Sequence, residues 1–134
     1  MILITTSRKP CNRTRSFCKD LQRALPEAIY RTRGKAPLDE VLGEEKVIYI
    51  TDRKGNPGKM EIYREGKRLL SLVLKGVRLR REIQSPLPTS EGELADAISK
   101  ALNLGKEIVK QHGDAVAFNK GPEIKVISYR GVEN

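Results

Sequence analysis

Within its first seventeen residues the chain passes from an apolar run, Met1 to Ile4, through Thr5-Thr6-Ser7 and Pro10 into a segment with helical spacing. Phe17, Leu21, Ala24 and Leu25 recur at intervals that place them on one face of a helix running to about Leu25, with Asn12 or Thr14 as its cap. A short buried strand feeding into an amphipathic helix is the opening of an α/β architecture, since the helix hides its apolar face by packing back on a sheet. The junction also has a chemical character. Arg8, Lys9, Arg13 and Arg15 fall within eight consecutive positions with no acid among them. Backbone N–H groups at a helix start, hydroxyl donors and cations in one place are the equipment for holding phosphate oxygens. Taken alone, the same run is an ordinary solvated helix start. The distribution of charge along the chain weighs between the two.

The net charge is +9, with a pI near 9.8, and it is unevenly placed. Residues 1–36 hold nine Lys and Arg (Arg8, Lys9, Arg13, Arg15, Lys19, Arg23, Arg31, Arg33, Lys35) against two acids, Asp20 and Glu27. A second concentration, Arg64 to Arg81, has seven bases and the single acid Glu65. Polarised positive charge favours a polyanion, nucleic acid ahead of an anionic membrane. A membrane surface would want a bulky apolar helix face, and the first helix offers only Phe17, Leu21 and Leu25. The longest apolar runs are a few residues, so neither a bilayer-spanning helix nor a signal peptide is expected.

At 134 residues the chain predicts one domain with an aliphatic core, for it has no Trp, two Phe and four Tyr. Ala28-Ile29-Tyr30 predicts a short strand, followed by the basic segment Arg31-Thr32-Arg33-Gly34-Lys35. Pro37 to Gly43 predicts a short helix, with Pro at its start, acids in its first turn and Gly after its end. Lys46 to Thr51 is the clearest strand. A turn over Asp52 to Gly58 then leads into the strand Lys59 to Arg64. Arg68 to Leu79 predicts a long strand whose alternation sets Arg78 and Arg80 on one face and Val77 and Leu79 on the other. The Pro-rich connector Gln84 to Ser90 divides the chain into halves of about 1–83 and 84–134. Ser90 and Glu93 form a capping-box pattern ahead of a helix bearing Leu94, Ala95, Ala97, Ile98, Ala101 and Leu102. Gly105 to Gln111 suits helix or strand equally. Ala115 to Phe118 and Ile124 to Tyr129 predict a closing hairpin. Each half runs strand, Pro-containing loop, helix and hairpin, a loose internal echo with little residue identity.

Catalytic chemistry finds few footholds. His112 is the single histidine, with no nucleophile at a recognisable spacing. Cys11 and Cys18 would lie about 10 Å apart along one helix, too far for a disulfide, and have no partners at metal-ligand spacing. They predict reduced thiols in a cytoplasmic protein. Gly55-Asn56-Pro57-Gly58-Lys59 lacks phosphate-loop spacing and carries Pro where a backbone donor is needed. The sequence gives no reason to expect an enzyme, a cofactor, a metal or a small-molecule substrate.

Ile4-Thr5-Thr6-Ser7-Arg8-Lys9-Pro10, then Arg13-Thr14-Arg15-Ser16-Phe17 with Lys19-Asp20-Leu21, resembles the opening signature of Brix-domain proteins, above all the small archaeal, Imp4-like members. Arg33-Gly34-Lys35, Asp52 to Gly58 and Gly121-Pro122-Glu123 follow in the family's order, so the resemblance covers essentially the whole chain. It implies a single Brix domain over 1–134, an α/β fold of two similar halves with mixed β-sheet packed with helices, like the anticodon-binding domain of class IIa aminoacyl-tRNA synthetases. It further implies non-catalytic work in ribosome biogenesis: binding of rRNA precursor, rRNA processing and subunit assembly, with ribosomal proteins or other assembly factors as further partners. Long flanking extensions like those of the eukaryotic members are not expected.

On that basis Arg8, Lys9, Arg13 and Arg15 are expected to clamp phosphates, with Thr6 and Ser7 adding hydroxyl contacts. Arg31, Arg33, Lys35, Arg53 and Lys54 extend the footprint if the fold gathers their loops. Arg78 and Arg80 are equally well explained as a solvated strand face. Scarce aromatics argue for backbone and shape recognition over base stacking. A tRNA-binding module and a protein–protein adaptor in ribosome assembly are the alternatives.

Overall fold

The computed structural model describes residues 1–131. In chain order these form β1 (Ile2–Thr6), α1 (Asn12–Ala24), β2 (Ala28–Tyr30), α2 (Leu38–Leu42), β3 (Lys46–Arg53), β4 (Asn56–Arg64), β5 (Lys67–Arg78), a 3-10 turn (Arg80–Glu82), α3 (Glu93–Leu102), β6 (Val109–His112), β7 (Ala115–Phe118) and β8 (Glu123–Gly131). The strands make one mixed sheet in the order β2-β1-β3-β4-β5-β8-β7-β6. β1 is parallel to both neighbours, with Ile4 opposite Tyr30 on one side and Ile48 on the other. The remaining pairings are antiparallel.

Alternation decides which face each helix covers. Ile2, Ile4, Ile48, Ile50, Met60, Ile62, Leu70, Leu72 and Leu74 share one apolar cluster with Phe17 and Leu21 of α1 and Leu94, Ile98 and Leu102 of α3. Leu3 and Thr5 point to the other face, where Val41 of α2 lies beside them. β1 is therefore buried throughout, which is why its sequence is an unbroken apolar run and not an alternation. The α/β class, the first two helices, the closing hairpin and the early strands match the sequence expectation.

Three local expectations are corrected and one open segment is decided. The β3–β4 turn is two residues long: Lys54 and Gly55, at φ 51° and 78°, suffice, and Asp52 and Arg53 on one side and Asn56 and Pro57 on the other stay in the ladder, with Gly58 the extra residue of a bulge. β5 stops at Arg78, and Arg80 enters the 3-10 turn, so Arg78 and Arg80 do not share a strand face. Gly105 to Gln111 resolves into a turn followed by β6. Ser90 caps nothing. It bridges Gln111 in a strand pairing, and α3 begins after Gly92. The Gln111 side chain caps that helix instead, its Oε1 accepting the Ala95 N–H at 2.9 Å.

Candidate nucleic-acid interface

Because β1, β2 and β3 are parallel, their carboxyl ends lie at one end of the sheet. Neighbouring strands are about 4.8 Å apart, so the first two loops start side by side, while β3 runs on past the level of Thr6 and carries its turn roughly 10 Å further along the strand direction. The three connections are Ser7–Cys11, Arg31–Pro37 and the Lys54-Gly55 turn. β1 lies between β2 and β3, with α1 on one face and α2 on the other. Its carboxyl end is thus a crevice of the kind where open α/β sheets bind ligands.

The hydroxyl residues hold the loops from beneath. The Thr5 hydroxyl donates to the Arg31 carbonyl at 2.9 Å, tying the β2 loop to β1. The Thr6 hydroxyl donates to the Ser7 carbonyl at 2.8 Å, and the Ser7 N–H donates to the Ile50 carbonyl at 3.2 Å. Thr6 is 0 % exposed. It is a loop staple, and the expectation that its hydroxyl reaches a bound backbone does not fit this geometry. Ser7 remains half-buried at the rim.

The start of α1 is already occupied. By alternation from Ile48 and Ile50, Asp52 points to the α1 face. Its Oδ2 accepts the Cys11 N–H at 2.7 Å and its Oδ1 accepts the Thr14 hydroxyl. An internal carboxylate thus takes one backbone donor and one hydroxyl, and sits at the positive dipole end that was expected to meet a phosphate. The cations remain. Arg8 and Lys9 on the first loop, Arg31 and Lys35 on the second, and Arg53 and Lys54 at the turn are all exposed. Arg33 is half-buried, its Nε donating to the Ala36 carbonyl at 3.2 Å. Arg15 is exposed on the outer side of α1.

Arg13 is drawn out of this group. Its Nη1 and Nη2 donate to the two Glu82 carboxylate oxygens, each at 2.8 Å, and Nη2 also donates to the Val77 carbonyl at 2.8 Å. The fork that matches a phosphate is closed on a carboxylate, and Arg13 ties α1 to the end of β5. Hydrogen bonding from Arg13, with a further bond from the Leu79 N–H, holds the Glu82 carboxyl at about 2.

Little else at this end suggests reaction chemistry. Burial pushes the Cys18 thiol up to about 12, so it stays protonated and inert at neutral pH. Burial also raises the Tyr30 hydroxyl above its ordinary value. Among the described residues, no three His, Cys, Asp or Glu side chains gather as a metal site requires. None of their helices is long and apolar enough to cross a membrane.

No family model matches the chain. A probable Brix domain-containing ribosomal biogenesis protein of Aeropyrum pernix is 33 % identical to it over 134 residues, covering 90 % of this chain and 74 % of that protein. The chain belongs to the Brix-domain family. A Methanopyrus kandleri protein of the same description is 43 % identical over 107 residues, and one from Pyrococcus horikoshii 44 % over 93 residues. The alignments cover 72 % and 62 % of this chain but only 56 % and 42 % of those relatives, so the chain spans about half their length. Among solved structures, a probable ribosomal biogenesis protein from Aeropyrum pernix superposes with a TM-score of 0.71 at 26 % identity, over 93 % of this chain and 94 % of that one. An archaeal Imp4-like protein superposes with a TM-score of 0.73 over 97 % and 99 % of the two chains. At 23 % identity that match speaks for the shared fold alone.

Two residues central to this Brix-domain site escape sequence reasoning. Asp52 reads as a turn acid, although its alternation with Ile48 and Ile50 is a usable signal that it faces α1. Glu82 carries no such signal, because its partner Arg13 is 69 positions away.

Proposed function

We propose that the chain serves ribosome biogenesis as a non-catalytic RNA-binding module, holding structured rRNA precursor at the carboxyl ends of β1, β2 and β3. One observation carries this reading: the parallel topology gathers Arg8, Lys9, Arg31, Lys35, Arg53 and Lys54 from three separate sequence segments onto one exposed end of the sheet. Six cations drawn from three loops form a surface suited to a chain of phosphates. The relatives described as ribosomal biogenesis proteins supply the context, and ribosomal proteins or other assembly factors are the further partners to be expected.

The contact set differs from the sequence expectation. Arg8, Lys9, Arg53 and Lys54 form its centre, Arg31, Lys35 and Arg15 flank it, and Ser7 stands at its rim. Arg33 contributes through the half of its surface left open. Arg13 and Thr6 act as scaffold.

The experiment is a binding titration of a precursor-rRNA fragment, with tRNA as comparison, at several salt concentrations. Each phosphate contact removed lowers the log–log salt slope by about one, so Arg8→Gln/Lys9→Gln/Arg53→Gln/Lys54→Gln is expected to flatten it by about four. Unchanged affinity and slope in this variant would sink the reading. Equal or tighter binding of tRNA would move the function to that RNA.

A further inference from the structure

The last two cations of the second basic concentration, Arg80 and Arg81, lie beside α1. α1 carries a stripe of exposed cations, Arg15, Lys19 and Arg23, at successive intervals of four residues. A helix rises about 1.5 Å per residue, so this stripe runs about 12 Å away from the loop end of the sheet. Near its far end the 3-10 turn lies against the helix. Ser16, Asp20 and Arg23 of α1 and Arg80 and Arg81 of the turn line an open cleft of about 280 Å³ between them.

The charges of this cleft do not cancel. Asp20 is its only carboxylate and is 7 % exposed. Its Oδ2 accepts the Arg80 main-chain N–H at 2.7 Å, and its Oδ1 lies 3.5 Å from Arg23 Nη1. Glu82, the nearest acid in sequence, is closed on Arg13 and the Leu79 N–H. Arg80 and Arg81 are exposed, and neither side chain has an ion-pair partner among the described residues. Three guanidinium groups therefore face one carboxylate whose capacity is largely taken. The turn that carries two of them is fixed to α1 at two points, Arg13 to Glu82 and Asp20 to the Arg80 N–H. A cleft so held is pre-organised for a tetrahedral oxyanion, which guanidinium forks grip through paired N–H donors.

We propose that this cleft is a second phosphate-binding site, in which Arg23, Arg80 and Arg81, with the Ser16 hydroxyl, hold the backbone of the RNA engaged at the sheet end. The ligand is a phosphodiester of a polymer and not a free phosphate ion, because Arg15 and Lys19 continue the positive surface from the loops to the cleft. The inference rests on the RNA-binding reading above. It enlarges the footprint from one end of the sheet to the length of α1.

The test compares wild type, an edge variant (Arg8→Gln/Lys9→Gln) and a cleft variant (Arg80→Gln/Arg81→Gln) for binding of a precursor-rRNA fragment across a salt series. The cleft variant is expected to lose about tenfold in affinity per contact near 0.1 M salt and to flatten the slope by about two. Arg80→Lys/Arg81→Lys should keep most of the slope. Inorganic phosphate at millimolar concentration should not protect the cleft arginines from a guanidine-modifying reagent, whereas the RNA fragment should. Arg80 is anchored through its main chain, so the Gln variant should melt at the wild-type temperature. If it unfolds, Arg81→Gln alone carries the same comparison with an expected slope change of about one.

Wild-type affinity and slope in the cleft variant, with both lost in the edge variant, would overturn the inference while leaving the RNA-binding reading intact. Absence of RNA binding by wild type would overturn both. Loss of polyglutamate binding in the cleft variant with RNA binding unchanged would assign the cleft to an acidic protein partner, and so also overturn it.

Discussion

Asp52 is held at the start of α1 by the Cys11 N–H at 2.7 Å and by the Thr14 hydroxyl. It supplies from β3 the cap that no side chain of the helix start provides. Removing a cap of this kind costs about 1–2 kcal/mol, and for a domain of this size each kcal/mol lowers the melting temperature by roughly 3–6 °C. Asp52→Ala is therefore expected to melt several degrees lower, with Asp52→Asn falling between it and wild type. RNA affinity should move the other way. Asp52 lies next to Arg53 in sequence and caps the helix that follows the Arg8-Lys9 loop, so its loss takes a negative charge away from the proposed phosphate contacts. Calorimetry and a binding titration on the same protein check both directions, and an affinity that falls with stability would mean that the cap orders the loop for RNA.

The helices are fixed to the sheet by contacts that cross long stretches of sequence, and two of these give separable tests. The Arg13–Glu82 pair holds α1 to the end of β5, with the Glu82 carboxyl lowered from 4.5 to about 2. A carboxylate whose folded value is depressed stabilises the fold above its unfolded value and loses that contribution as the pH falls towards the folded one. Glu82 is 37 % exposed, so solvent screens the pair and its contribution is about 1 kcal/mol or less. The difference in melting temperature between wild type and Glu82→Gln should be constant above about pH 5 and shrink between 4.5 and about 2. A difference that persists at the acid end would assign the effect to packing. For α3 the relevant pair is Gly92 and Gln111. Gly92 has φ −172°, open to any residue, so the constraint is space: a Cβ there would meet the Gln111 side chain that caps the helix. Gly92→Ala is expected to cost about 1 kcal/mol through loss of that hydrogen bond, and much less in a Gln111→Ala background. Equal costs in both backgrounds would place the strain elsewhere.

For the molecule as a whole, what the sequence displayed was local. The apolar run of β1, the face of α1, the Pro37–Gly43 helix and the closing hairpin are each written in a few adjacent residues, and each formed where the pattern put it. The Ser90–Glu93 pattern was equally clear and failed, because Gln111 offered α3 a cap while Ser90 paired as a strand residue. The site divides in the same way. Its cations are plain in the sequence, but which groups remain available depends on acids brought from 41 and 69 positions away: Asp52 takes the Cys11 N–H and Glu82 takes Arg13. The face that results is charged and poor in accessible rings. Phe17, Phe118 and Tyr49 are buried, Tyr30 and Tyr63 lie in strands and are half-buried, and among the described residues only Tyr129, at 40 %, is an exposed aromatic. Binding through such a surface draws its free energy from counterion release and not from stacking or base-edge contacts. The six phosphate contacts proposed at the loop end predict that affinity falls by about a thousandfold between 50 and 200 mM salt. The same energetics predict that a structured RNA and a version with its paired bases exchanged bind within about threefold of each other, since phosphate contacts carry no sequence information. A shallow salt dependence would mean that the positive charge does not meet the RNA backbone, and a large preference between the two sequences would require base contacts from residues outside this face.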